Sequence, residues 1–215
     1  MTFCLDSTII NPEKNKDIFN VVVLLHGYGG DGKDISILAS NWKRYMPNTI
    51  FICPNGHESC VINPAGYQWF DLSKDDTNYV LDEVLKAEKK LNQFIDEIKK
   101  RYNLDNDQIT ISGFSQGCMM SINIGLTAEK PFRSIVGFSG KIINLNNLKI
   151  RKKNFTKTLL IHGDSDEIVP STYLLEAKDF LLRENVDVET HLIKNCGHNI
   201  PIEASSIALN YILKN

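Results

Sequence analysis

Residues 108–127 read QITISGFSQGCMMSINIGLT, and two structural periodicities meet in them. Gln108 to Ser112 is a short β-branched run of the kind that forms a buried strand, and Gln116 to Thr127 is an apolar helical run. Between them stands Gly113-Phe114-Ser115-Gln116-Gly117, so the strand must turn into the helix with no loop to spare. Such a turn forces its apex residue into strained φ/ψ, and glycines flank it because side chains there would collide with neighbouring backbone. The apex is Ser115, whose hydroxyl is pushed out of the sheet edge. A G-x-S-x-G pentapeptide also arises by chance, and it is the strand-turn-helix setting that gives this one meaning.

Outward from this point the same alternation repeats. Asn20 to Leu25, Thr49 to Cys53, Ser134 to Phe138, Thr158 to His162 and Val186 to Ile193 read as further buried strands. Helices are predicted over Lys33 to Asn41, Asp76 to Tyr102, Ser171 to Glu184 and Ile202 to Leu213. In the longest, Val80, Val84, Ala87, Leu91, Phe94, Ile95 and Ile98 fall on one face. This βαβα rhythm predicts an α/β fold with a mainly parallel sheet covered by helices on both faces. The first twenty residues are read as an edge hairpin or, from Pro12 and the polar cluster after it, a turn. At 215 residues, 42% of them hydrophobic, the chain fits a single domain over residues 1–215.

Open parallel sheets gather functional groups at the C-terminal ends of their strands, and the unusual residues of this chain stand there. They are HGYGG at 26–30, GFSQG at 113–117, HGDSD at 162–166 and CGHN at 196–199. A serine hydroxyl is a poor nucleophile at neutral pH, so it needs a base within hydrogen-bond reach and a third group to fix that base's tautomer. After a nucleophile elbow the chain order is serine, acid, histidine. His198, on a loop after the last strand, is placed as the base. His26 and His162 each close a strand and read as turn residues, His57 lies in a polar loop, and His191 shares a strand face with Asp187 and Glu189. For the acid, Asp164 and Asp166 occupy the same loop, and the residues alone leave both open. The charge that develops on a carbonyl oxygen calls for two backbone N–H donors, assigned to Gln116 and to Tyr28 in the glycine-rich loop.

Other chemistries fit less well. The pattern Gly27-x-Gly29-x-x-Gly32 matches a dinucleotide fingerprint, but the next strand ends Ile52-Cys53-Pro54-Asn55 with no acid for a ribose. Gly27 to Asp34 imitates a phosphate loop, yet Asp34 puts a negative charge where a magnesium-binding hydroxyl belongs. A net charge of −2 with dispersed Lys and Arg offers no field for nucleic acid. Arg151-Lys152-Lys153 reads as a solvated loop. Five scattered cysteines suggest neither a disulfide framework nor a metal knuckle, and Cys118 and Cys196 read as packing residues rather than nucleophiles. No signal sequence or transmembrane segment is evident, so a cytoplasmic location is expected.

LLHGYGGDG at 24–32, YQWFDL at 67–72, GFSQGCMMS at 113–121, HGDSDEIVP at 162–170 and CGHNI at 196–200 occur in order along most of the chain. This set resembles the phospholipase/carboxylesterase group of α/β-hydrolases, which includes the acyl-protein thioesterases. The resemblance implies an α/β-hydrolase fold with little or no cap, no cofactor and no metal. It implies a serine hydrolase that cleaves short-chain acyl esters, thioesters or lysophospholipids through an acyl-enzyme, and it selects Asp166 over Asp164. Tyr28 departs from the leucine many relatives carry, and Gly30 from their aspartate. Tyr67, Trp69 and Phe70, in a loop too apolar to be idle, are expected to border the acyl pocket, the alternative being that Trp69 and Phe70 pack beneath the loop as core. The alternative is a catalytically inactive α/β domain that binds a ligand in the same crevice. Apolar residues around that crevice suit a substrate, a membrane surface or a homodimer partner alike.

Overall fold

The computed structural model describes residues 3–13 and 16–215. Its main sheet contains β1 (Ser7–Ile10), β2 (Asn20–Leu25), β3 (Thr49–Pro54), β6 (Ile109–Phe114), β7 (Ser134–Phe138), β8 (Thr158–Gly163) and β9 (Val188–Ile193). The spatial order is β1-β3-β2-β6-β7-β8-β9, and a two-residue ribbon, β4 (Glu58–Ser59) with β5 (Tyr67–Gln68), stands apart. All neighbours in the main sheet are parallel except β1, which runs antiparallel to β3 with Ser7 opposite Pro54. The opening segment is therefore an edge strand on β3 and not a hairpin with β2, and Lys14 and Asn15 of its polar cluster lie outside the described residues.

Strand parity assigns each side chain to a face. Val21, Val23 and Leu25 of β2 pack with α2 (Thr77–Tyr102) and α3 (Gln116–Thr127). Val22 and Leu24 point the other way, into a cluster with α1 (Gly32–Trp42) and α6 (Ile202–Lys214). On the first face α5 (Thr172–Arg183) and the short α4 (Leu145–Arg151) complete the cover. Because helices cover both faces, β2 and β3 are apolar almost without alternation, whereas β6 alternates Ile109 and Ile111 with the buried Thr110 and Ser112.

The long helix begins at the cap Asp76, which accepts from the Tyr79 N–H at 2.8 Å, and ends at Asn103 in the left-handed region with φ 53°. Two readings of the sequence need correction. The polar stretch before β8 contains α4, capped by Asn144 through the Asn147 N–H. Its basic run is solvated only in part: Arg151 pairs with the buried Glu88, whereas Lys153 meets Glu129 with both side chains in solvent. The last strand also starts two residues late, at Val188. Among the described residues no helix is long and apolar enough to cross a membrane.

Candidate active site

Ser115 sits at the bend between β6 and α3 with φ 54° and ψ −117°. A non-glycine residue in that region is strained and persists only where its surroundings over-determine it. Here they do. A Cβ on Gly113 would stand 2.3 Å from the Gly117 carbonyl, and one on Gly117 would stand 2.2 Å from the Leu25 carbonyl of β2. The elbow is also tied to β7, since Ser115 N–H donates to the Phe138 carbonyl at 2.9 Å. Although Ser115 occupies the N-cap position of α3, its hydroxyl caps nothing. It faces the histidine loop instead, 3.0 Å from His198 Nε2.

The other imidazole nitrogen, Nδ1, donates to Asp166 Oδ2 at 2.7 Å. Asp166 is itself held on several sides. Its Oδ1 accepts from the backbone N–H of Ile168 (3.0 Å) and of Val169 (2.8 Å), and His162 Nε2 lies 3.3 Å from Oδ2. Burial pushes this carboxyl up, and the bonds from His198 and from the Val169 and Ile168 amides outweigh it, so the group stays below the ordinary carboxylate value. A carboxylate with both oxygens fixed can hold His198 in the tautomer that leaves Nε2 free to accept. Phe114 packs against the imidazole at 4.7 Å between centroids.

Asp164 does something different. Its Oδ1 accepts from the Cys196 N–H at 3.3 Å, and Ser165 N–H donates to the Cys196 carbonyl at 3.0 Å. A Cβ at Gly163 would meet that same carbonyl at 2.2 Å. The acid loop and the histidine loop are thus in backbone contact, and Asp164 helps pin them together. His162 was read as a turn residue. Its Nε2 donates to the Val169 carbonyl at 2.8 Å while touching Asp166, and burial depresses its pKa, so it braces the acid loop as a neutral ring. The spacing His162-x-x-x-Asp166 was the available signal for this role.

The glycine-rich loop lies across the elbow, where a Cβ on Gly27 would come within 3.3 Å of Ser115 Cβ. Gln116 is the first residue of α3, so its N–H has no partner within the helix. Gln116 and Tyr28 both line a cleft of about 590 Å³ beside Ser115. Of the three aromatics expected at the acyl pocket, Phe70 lines this cleft with Leu72, Val80, Met119 and Ile143. Trp69 and Tyr67 stand behind it. The Trp69 indole N–H donates to the His26 carbonyl at 2.9 Å, and Tyr67 exchanges backbone bonds with Gly29 (2.9 Å) and Gly30 (2.8 Å). The Gln116 side chain completes this frame, accepting from Trp69 N–H at 3.0 Å and donating to the Phe70 carbonyl at 2.7 Å. Segment 67–70 is the prop of the 26–30 loop. Gly29, at φ 78°, provides the left-handed turn the loop needs.

The buried thiols cannot compete with Ser115. Cys118 is packed beneath Gly137 and Gly140, and burial pushes its thiol up to about 12. Burial also raises Cys196, whose Sγ donates to Asn199 Oδ1 at 3.0 Å. Among the described residues all five cysteines are free.

A sequence profile of phospholipases and carboxylesterases matches residues 6–215, nearly the whole chain. The chain belongs to the phospholipase/carboxylesterase family. It is 30% identical over 194 residues to acyl-protein thioesterase 1 of Schizosaccharomyces pombe, covering 85% of this chain and 83% of the relative. Escherichia coli esterase YpfH is 23% identical over 205 residues, covering 92% and 84%. Among solved structures, esterase PE8 superposes with a TM-score of 0.91 at 31% identity, covering 100% of this chain and 99% of that one. As a phospholipase/carboxylesterase the chain is a hydrolase with the α/β-hydrolase fold, and its mainly parallel sheet with helices on both faces is that architecture.

Proposed function

We propose that Ser115, His198 and Asp166 act as one catalytic unit, and that the enzyme cleaves carboxylic esters and thioesters through an acyl-enzyme on Ser115. The observation that carries this is the unbroken relay from Ser115 Oγ to His198 (3.0 Å) and from His198 to Asp166 (2.7 Å). Ser115 Oγ attacks the carbonyl carbon while its proton passes to His198 Nε2. The oxygen that becomes negative is received by the N–H groups of Gln116 and Tyr28. The bond to the leaving oxygen or sulfur then breaks, and His198 returns its proton to that atom. Water, deprotonated by the same nitrogen, attacks the acyl carbon, the bond to Oγ breaks, and Ser115 regains its proton.

The acyl chain is assigned to the 590 Å³ cleft, because Ser115 and both oxyanion donors line it and its wall is largely apolar. The relatives support this chemistry from two sides, one named for thioester cleavage and another for ester cleavage. Both reactions pass through the same tetrahedral oxyanion.

The test is Ser115→Ala assayed on a short-chain p-nitrophenyl ester, alongside fluorophosphonate labelling of the unaltered chain. Turnover is expected to fall by about 10⁴-fold or more with the fold intact, and the label to attach at Ser115. Turnover that survives the substitution, or a chain that resists the label, would refute the proposal.

A further inference from the structure

We infer that the enzyme has a second, separate cleft for the departing half of the substrate, and that this cleft selects esters whose alcohol or thiol component is apolar and uncharged. The inference rests on the catalytic reading above. It starts from a division of the site: the acyl cleft and a second cleft of about 380 Å³ share no lining residue. Ser115, Gln116 and Tyr28 line the first. His198 lines the second, with Ile35, Ile37, Leu38, Phe114 and Ile200.

Proton bookkeeping assigns the two halves. While the leaving group departs, the acyl carbon is bonded to Ser115 Oγ and its oxygen is held by the Gln116 and Tyr28 amides, so the acyl chain is assigned to the first cleft. The atom that leaves must receive its proton from His198 Nε2, and so it departs on the side the imidazole faces. His198 lines the second cleft and not the first. Phe114, tilted against the His198 ring at 4.7 Å, and Gly27, where a Cβ would come within 3.3 Å of Ser115 Cβ, line the second cleft and bring it up to the elbow.

The second cleft has an evident chemical preference. Ile37 is 65% exposed on a helix whose neighbouring Ile35 and Leu38 are buried, so an apolar side chain is presented to solvent at the cleft mouth. Among the described lining residues Asp34 supplies a carboxylate, and no lysine or arginine accompanies it. An alkyl or aryl alcohol gains burial here. A phosphorylated alcohol meets a carboxylate with no cation to offset it.

The experiment compares methyl, hexyl and benzyl butyrate with the butyrate ester of a phosphorylated propanol, and in parallel methyl acetate with methyl octanoate. The hexyl-to-methyl ratio of kcat/KM is expected to be about tenfold or more, with the phosphorylated ester about tenfold below hexyl. Ile37→Asp should cut the hexyl-to-methyl ratio about tenfold and hold the octanoate-to-acetate ratio within about twofold. Ile143→Asp, in the other cleft, should do the reverse, and Ile150→Asp, exposed on another surface, should move neither. A chain that turns over esters but is indifferent to the alcohol, or one in which Ile37→Asp shifts both ratios equally, overturns the inference and leaves the hydrolase reading standing. A chain that cleaves none of these esters and takes no fluorophosphonate overturns both.

Discussion

The two halves of the proposed relay are held in place by different physics. Ser115 is positioned by main chain: strained φ/ψ at the bend, Cβ-free contacts at Gly113 and Gly117, and an amide bond to β7. His198 and Asp166 sit on loops and are positioned largely by side chains, through the Asp166, Asp164 and His162 bonds. Steric exclusion of alternatives is close to all-or-none, whereas a set of hydrogen bonds can be weakened one at a time. Faults in the nucleophile's setting should therefore appear as failures of folding, and faults in the acid–base pair as losses of rate.

Asp166→Asn makes the sharpest break. The backbone N–H groups of Ile168 and Val169 keep the amide oxygen at the Oδ1 position, which turns the NH₂ toward His198 Nδ1. His198 must then carry its proton on Nε2 and cannot accept one from Ser115. We expect kcat to fall about 10³- to 10⁴-fold with an unchanged melting curve, as measured by steady-state kinetics and calorimetry. Gly117→Ala is its mirror image. The added methyl would stand 2.2 Å from the Leu25 carbonyl, and the neighbour is sheet backbone that cannot yield. A loss of about 3 kcal/mol or more in denaturant unfolding is expected, and a chain of unaltered stability would contradict the steric account.

Smaller effects refine the contrast. Trp69→Phe retains the buried ring but removes the N–H to the His26 carbonyl, leaving an orphaned acceptor behind the 26–30 loop. About 1 to 2 kcal/mol of stability should go, and kcat should drop about tenfold as the Tyr28 amide loses its register. The mildest effect comes from pH. Burial depresses the pKa of both His26 and His162. Their folded forms bind protons less readily than the unfolded chain, so the stability they contribute is complete above the ordinary histidine value of 6.5 and lost as pH falls below it. His26 shows why: its Nε2 accepts from the Gly56 N–H at 2.8 Å, and a proton there would cancel that bond. The melting temperature should decline by a few degrees between about pH 7 and pH 5.5, before the carboxylates titrate. A flat profile over that interval would show that these rings can be charged in place.

What could be read from the sequence divides along the same line. The strand-turn-helix signature at Ser115 is local, since sterics act between near neighbours, and the alternating apolar runs likewise reported the sheet and its principal helices. His198 was legible because it stands on a loop after the last strand. Asp164 and Asp166 were not separable from their surroundings in sequence, because which carboxylate reaches the imidazole is set by the turn that aims the Ile168 and Val169 amides. Trp69 looked like a wall of the cleft for a comparable reason: an aromatic in a long loop has the same signature whether it touches a substrate or supports the loop that does. The short helix Leu145–Arg151 escaped notice since its seven residues bury only Leu148 and so show no long apolar stripe.

The contact between Gly163 and the Cys196 carbonyl has a bearing on how this site tolerates motion and change. The two backbones cannot move closer there, and the bond from Ser165 N–H to the same carbonyl resists their parting, so the acid and the base keep their mutual spacing. An insertion in either loop would need a matching insertion in its neighbour before the pair could swing back over the serine.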